Sequence, residues 1–346
     1  MANPHPLKIV FIGAASAVFG PVTIYDVLTQ LSTDTRAPTL ALVDTDSAAL
    51  LRVHRIAEAM ARQLGVEAAV ESSTDRREVL AGAHSVIVAA EADRIERWRL
   101  DWEIPRRFGI RHTLGENRGP AGLSHTLRTV PLVLDIASDI EELSPEATVI
   151  IMTNPEDRVA YAVNHYTGLR AYGYCDGLWD FKHHYLEPLL GIPGERIFVE
   201  AAGINHAVWI TTLRTAENGD AESRGAQSGE DLYPRLLAET ADGSWQPLGR
   251  HLYERYGLWP HENDEHYGEY FPYACELIEC PGYDFDAHLR EERQWRSAAE
   301  EVIAGTRDPA RFTSEDAVAV WEVFGDAPPS AVIRGVHLGA PLGGPQ

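Results

Sequence analysis

The chain has 346 residues, 45% apolar and 24% charged, the balance of a folded globular protein long enough for two interlocked domains. Its 30 basic and 52 acidic residues leave a formal charge of −22, which argues against nucleic acid and anionic membranes as partners. No run approaches the roughly 20 apolar residues of a membrane span, and no charged-then-apolar leader pattern opens the chain. Three cysteines are too few for a disulfide framework and point to a reducing cytoplasm.

Taken in chain order, Lys8 to Ile12 is almost unbroken apolar sequence and reads as a buried strand, after which Gly20-Pro21 opens a helix. A second strand spans Ala37 to Val43, and a helix runs from an Asp46 N-cap to Leu64. Ala68 to Ser72 and Ser85 to Ala90 are further strands, followed by a long helical pattern from Leu123 to Leu143 with a kink expected at Pro131. Thr148 to Thr153 is another buried strand. This alternation predicts an α/β fold with a mostly parallel, Rossmann-type sheet over residues 1–170.

Beyond it, residues 171–346 read as a second, α+β domain. Arg196 to Ala202 and Ala207 to Thr212 are predicted strands joined by the Gly203 to His206 turn. Ala216 to Gly229 is polar and glycine-rich, an exposed excursion. Leu289 to Ile303 is amphipathic, with Trp295, Ala299, Val302 and Ile303 near one face, and Gly335 to Gln346 carries no clear element.

Four motifs carry chemistry. Gly13-Ala14-Ala15-Ser16 follows a strand and precedes a helix, the setting in which backbone N–H groups cradle a pyrophosphate. Asp44 ends the next strand, where a carboxylate grips a ribose diol and repels a 2′-phosphate, so NAD is expected rather than NADP. In Gly115 to Gly122, Asn117 and Arg118 are candidates for holding hydroxyls or phosphates, and a helix-capping turn is the plainer alternative. Thr153-Asn154-Pro155 ends a parallel strand, which places Asn154 at the ligand-binding edge of the sheet. Cys175 and His206 each follow a predicted strand and offer a thiolate and an imidazole to a divalent metal, although a buried cysteine and a turn-capping histidine would look the same. Lys182, His183 and His184 are weaker candidates for sugar contacts and read first as a helix surface.

Gly115 to Pro131, Thr153-Asn154-Pro155, Cys175-Asp176-Gly177 and Gly203-Ile204-Asn205-His206, in that order behind a dinucleotide turn, resemble glycoside hydrolase family 4, the NAD- and manganese-dependent glycosidases with a lactate/malate dehydrogenase-like fold. The resemblance runs over about residues 7 to 305. It implies Cys175 and His206 as metal ligands, Asn154 and Asn205 as substrate contacts, and Asp176 as general acid, the residue of the phospho-glycosidase branch where other members have His. It matches Asp264 to Tyr270 with the region that supplies the base, Tyr267 foremost and Asp264 as substitute. Ala15 stands where the family carries glycine, and the chain is shorter than the family at its C-terminal side. The implied activity is hydrolysis of a glycosidic bond through oxidation at C3, elimination, water addition and re-reduction, with NAD and Mn²⁺ or another divalent metal as cofactors. A cytoplasmic homodimer or homotetramer acting on a small-molecule glycoside is the corresponding expectation. Two other readings share the fold: an NAD-dependent dehydrogenase of a hydroxy acid or sugar, and an inactive relative that only binds NAD or sugar.

Overall fold

The computed structural model describes residues 7–16, 19–31, 38–175, 177–216, 229–280, 284–304 and 306. Asp176, the stretch 217–228 and the tail 335–346 lie outside them.

Six parallel strands form the main sheet: β1 (Lys8–Ile12), β2 (Thr39–Val43), β3 (Ala69–Ser73), β4 (Ser85–Val88), β5 (Thr148–Ile151) and β6 (Arg170–Gly173). Their spatial order is β3-β2-β1-β4-β5-β6 with every pairing parallel, the order of a doubly wound dinucleotide fold. Both faces are covered, so β1, β2 and β4 bury apolar side chains in each direction and lack alternation. On one face Val10, Val86 and Val149 pack with Val133, Ile136 and Ile140 of the helix Gly119–Leu143. On the other, Phe11, Leu40 and Leu42 pack with Ile56 and Met60 of the helix Ser47–Leu64, and with Ala298 and Ala299 of the helix Phe285–Ile303.

Local chemistry explains most boundaries. Asp46 caps the second helix by accepting from the backbone N–H groups of Ala48 and Ala49, and Gly65 ends it in the left-handed conformation. The helix Gly119–Leu143 starts four residues before its apolar pattern does, because Pro120 is placed in its first turn, and it continues through Pro131. The helix Arg94–Arg107 has no sequence counterpart in the predicted set: it is rich in charge, and of its residues only Trp98, Asp101 and Pro105 are buried.

A three-stranded antiparallel sheet carries the second half, with β7 (Ile197–Ile204), β8 (Ala207–Thr215) and β9 (Trp259–Pro260) in that order. Asn205 and His206 form the tight turn between β7 and β8, and His206 adopts a φ of 60° there. Phe181, Ile210, Leu213 and Trp259 centre its core. The cysteine expectation needs amendment: the sulfurs of Cys275 and Cys280, five positions apart, are bonded to each other.

Candidate functional site

The polar residues singled out by sequence converge at the C-terminal ends of the parallel strands, where an open α/β sheet leaves a crevice. Gly13 follows β1, Asp44 follows β2, Asn154 follows β5 and Cys175 follows β6, and Glu91, which the sequence did not mark, follows β4. The peptide bond between Asn154 and Pro155 is cis.

At the nucleotide turn, Gly13 has a φ of 84°, and a Cβ there would sit 2.4 Å from the Ala89 carbonyl oxygen. Only glycine lets β1 and the β4 loop approach this closely. The Asp44 carboxylate accepts from the Ala15 backbone N–H at 3.1 Å and from that of Asp46 at 3.1 Å. It thus ties the end of β2 to the turn and stays at a part-exposed lip. Ser16 accepts from the Phe19 backbone N–H. The turn, the carboxylate and the following helix start have the polarity and backbone space that a dinucleotide needs.

Deeper in the crevice lies a charged network. Arg94 reaches Glu91 and Glu116, each at 2.8 Å, and His125 meets Glu91 at 2.5 Å and the Glu116 carbonyl at 2.9 Å. Burial alone would raise the Glu116 carboxyl, but Arg94 and His125, with a hydrogen bond from Asn154, bring it down to about 2. Asn154 is therefore held by an ionised carboxylate. Glu269 accepts from the backbone N–H groups of Glu116 at 2.5 Å and Asn117 at 2.9 Å, and burial pushes its carboxyl up to about 8. Arg118 pairs with Asp157 at 2.5 Å and lies 4.5 Å over the Tyr270 ring, whose hydroxyl donates to the Asn205 carbonyl.

Cys175 and His206, the two candidate metal ligands, meet a third group that the sequence did not mark. Cys175 Sγ lies 3.8 Å from His206 Nε2 and 3.9 Å from Glu262 Oε1, and His206 Nε2 lies 4.0 Å from Glu262 Oε2. Two metal–donor bonds of about 2.0–2.3 Å meeting at one ion span roughly the same separation. Burial, with His266 next to it, keeps His206 well below the ordinary histidine range, so its imidazole is neutral as a ligand must be. Glu262 is 3% exposed and has a φ of 73°. It enters only because position 177 is glycine: a Cβ there would lie 1.5 Å from Glu262 Oε1. Among the described residues, thiolate, imidazole and carboxylate make a donor set suited to a divalent transition ion. The one sequence cue to Glu262 was its place just before the Asn263 cap of the helix Asp264–Gly268.

Tyr267 and Asp264, expected to supply the base, are both buried. Tyr267 is 1% exposed and packs with Leu248, Leu252 and Ala274. Its hydroxyl donates to Asp264 and lies 3.2 Å from Gln246 Oε1, and burial followed by the Asp264 charge drives its pKa well above 10. Asp264 accepts from the backbone N–H groups of Leu248 and Gly249 at 2.9 and 3.0 Å, which commits it to anchoring the helix Pro247–Tyr256. The imidazole of His266 instead faces the ligand set, with ring centroids 4.6 Å from His206, and its Nδ1 lies 2.8 Å from Asn263 Oδ1. Lys182, His183 and His184 lie on a π-helical turn, Phe181–Leu186, where His184 pairs with Asp180 at 2.5 Å and His183 lies 3.5 Å from Glu187.

The model of the family 4 glycosyl hydrolases matches residues 8–189, and that of their C-terminal domain matches residues 201–320. The chain belongs to this family. The α-glucosidase of Erwinia rhapontici is 30% identical over 308 residues, covering 80% of this chain and 67% of the relative. The α-galactosidase of Bacillus subtilis is 30% identical over 312 residues, covering 86% and 68%. Among solved structures, a 6-phospho-α-glucosidase from gut microorganisms in complex with NAD and Mn²⁺ has a TM-score of 0.69 at 19% identity, over 87% of this chain and 69% of that one. The 6-phospho-β-glucosidase of Thermotoga maritima with NAD and glucose-6-phosphate has a TM-score of 0.67 at 18% identity, over 91% and 70%. These last two share the fold with a family 4 chain whose crevice is built as described.

Proposed function

We propose that this family 4 chain is a glycosidase that uses NAD and a divalent metal, Mn²⁺ foremost, to cleave an O-glycosidic bond. The observation that carries the proposal is the convergence of Cys175, His206 and Glu262, remote in sequence, with all donor atoms within 4.8 Å of one another beside the sheet's ligand edge. Those three residues would hold the metal, and Gly13 to Ser16 with Asp44 would hold NAD. When bound, NAD supplies a reversible hydride acceptor and the metal supplies positive charge next to a developing oxyanion.

The chain's own residues then orient and move protons. Asn154, fixed by Glu116, and Asn205, whose Nδ2 is buried without a partner among the described residues, offer amide groups to sugar hydroxyls. Neutral His266, tied through Nδ1 to Asn263, is assigned the proton abstraction expected of Tyr267, and Asp176 keeps the role of acid to the leaving oxygen. Arg94 and Arg118 are both neutralised by carboxylates, which supports a neutral sugar over a phosphorylated one. The exposed apolar side chains Leu100, Ile104, Phe108, Leu123 and Leu127, on or next to two mutually packed helices, support a homo-oligomer.

The test is a screen of aryl glycosides with NAD⁺, Mn²⁺ and a thiol reductant, in deuterated water. Cleavage with catalytic NAD, no net NADH and deuterium at C2 of the released sugar is expected. Stoichiometric NADH without cleavage would favour a dehydrogenase, and a product without deuterium would rule out elimination.

A further inference from the structure

Asn117 lies on the loop that sequence reading gave to the substrate, yet it is 1% exposed and its side chain faces a histidine. Its amide nitrogen lies 2.7 Å from His206 Nδ1, and its Oδ1 is buried with no hydrogen-bond partner among the described residues. That arrangement has a chemical consequence. An amide N–H donating to Nδ1 makes Nδ1 the acceptor, which puts the single ring proton of a neutral imidazole on Nε2. Nε2 is the atom that faces Cys175 and Glu262, and a protonated Nε2 has no lone pair for a metal.

Turning the amide about its terminal bond exchanges its nitrogen and oxygen without moving another atom. Oδ1 then accepts the proton of Nδ1, the buried oxygen gains its partner, and the Nε2 lone pair points at the thiolate and carboxylate. As placed, the side-chain amide also donates to Glu269, whose buried carboxyl is pushed up to about 8; after the turn that carboxyl, neutral at pH 7, gives its own O–H to the oxygen instead. The same carboxyl holds the Asn117 backbone N–H at 2.9 Å, so the residue's main chain is held at the same site.

We infer that Asn117 is a positioning residue: its side-chain oxygen accepts the Nδ1 proton of His206 and thereby sets the tautomer in which Nε2 binds the metal. The inference rests on the proposed metal site, and it replaces the expected sugar contact of Asn117 with an action through the ligand. Outer partners that orient a ligating histidine generally change metal affinity by about 10- to 100-fold when removed.

The test reads the proton directly. Long-range ¹H–¹⁵N correlation spectra of metal-free, ¹⁵N-histidine-labelled protein, with His206 assigned by its loss in His206→Gln, should show Nδ1 protonated and Nε2 bare. Asn117→Leu, of similar volume but with no acceptor, should lose that preference and weaken Mn²⁺ binding by about 10- to 100-fold in an electron paramagnetic resonance titration. Asn117→Asp keeps an acceptor and should keep both the tautomer and the affinity. A proton on Nε2 in the wild type overturns the inference, as does equal loss of affinity in Asn117→Asp and Asn117→Leu, or none in either. If Asn117→Leu does not fold, the wild-type spectrum and Asn117→Asp decide. A wild type that binds no Mn²⁺ removes the metal reading, while the ring-proton position in the same sample still decides the hydrogen bond.

Discussion

Replacing Gly177 with alanine tests the metal site without touching a ligand. The new Cβ would sit 1.5 Å from Glu262 Oε1, 2.4 Å from its Cδ and 2.8 Å from its Cγ, so the carboxylate must retreat by about 2 Å to regain ordinary contact. A metal–carboxylate bond is only about 2.0–2.2 Å long, so that retreat takes Glu262 out of coordination and leaves Cys175 and His206. If the loss raises Kd about 100-fold, differential binding energy falls by about 2.7 kcal/mol. The consequence is legible in stability. At a Mn²⁺ concentration of about 100 times the wild-type Kd, the ion should stabilise the wild type by about 2.7 kcal/mol and Gly177→Ala by about 0.4 kcal/mol. The assay is urea denaturation with and without Mn²⁺ and with EDTA as control. Metal-free stabilities of the two proteins provide the baseline, so a fold defect is separated from a ligand defect. Equal stabilisation of both proteins by Mn²⁺ would refute the assignment of Glu262, and Glu262→Gln should then be silent as well.

Asp44→Ala should weaken NAD and narrow its preference over NADP, because it removes both the repulsive carboxylate and the anchor on the Ala15 N–H; calorimetric titration of each cofactor checks this. Tyr267→Phe should cost about 1–2 kcal/mol of stability from its lost hydroxyl bonds and keep turnover within the same order of magnitude, whereas His266→Gln should lower turnover by at least 10²-fold in the glycoside assay. Glu116, held at about 2 in the fold against an ordinary 4.5, contributes stability that is present above pH 4.5 and lost as pH falls from there towards 2. Chemical denaturation across that window should show the fall, and Arg94→Met should flatten it.

Much of the scaffold was legible in the chain itself, because strands buried on both faces are continuous apolar runs. Lys8 to Ile12 was read to the residue, and Asp46 marked its helix start because a short carboxylate N-cap acts over three residues. The ordered motifs likewise located Gly13, Asn154, Cys175 and His206, since each stands beside a strand end or turn whose backbone demands are local. The helix Arg94–Arg107 was not legible. Its stability comes from Trp98 and Trp102, whose indole N–H groups donate to the Leu114 and Thr113 carbonyls, and no apolar period records that.

What the sequence by itself determined is the sheet, its nucleotide turn and two of the three proposed metal donors, all set by interactions within a few residues. Only the tertiary structure decided which acidic group completes the set. Glu262 is one of several acids in its segment, and its selection depends on the empty side of Gly177, 85 positions away by numbering. It also decided that Tyr267 is core and that His266 faces the ligands, because adjacent helical residues point in different directions and only packing says which direction is inward.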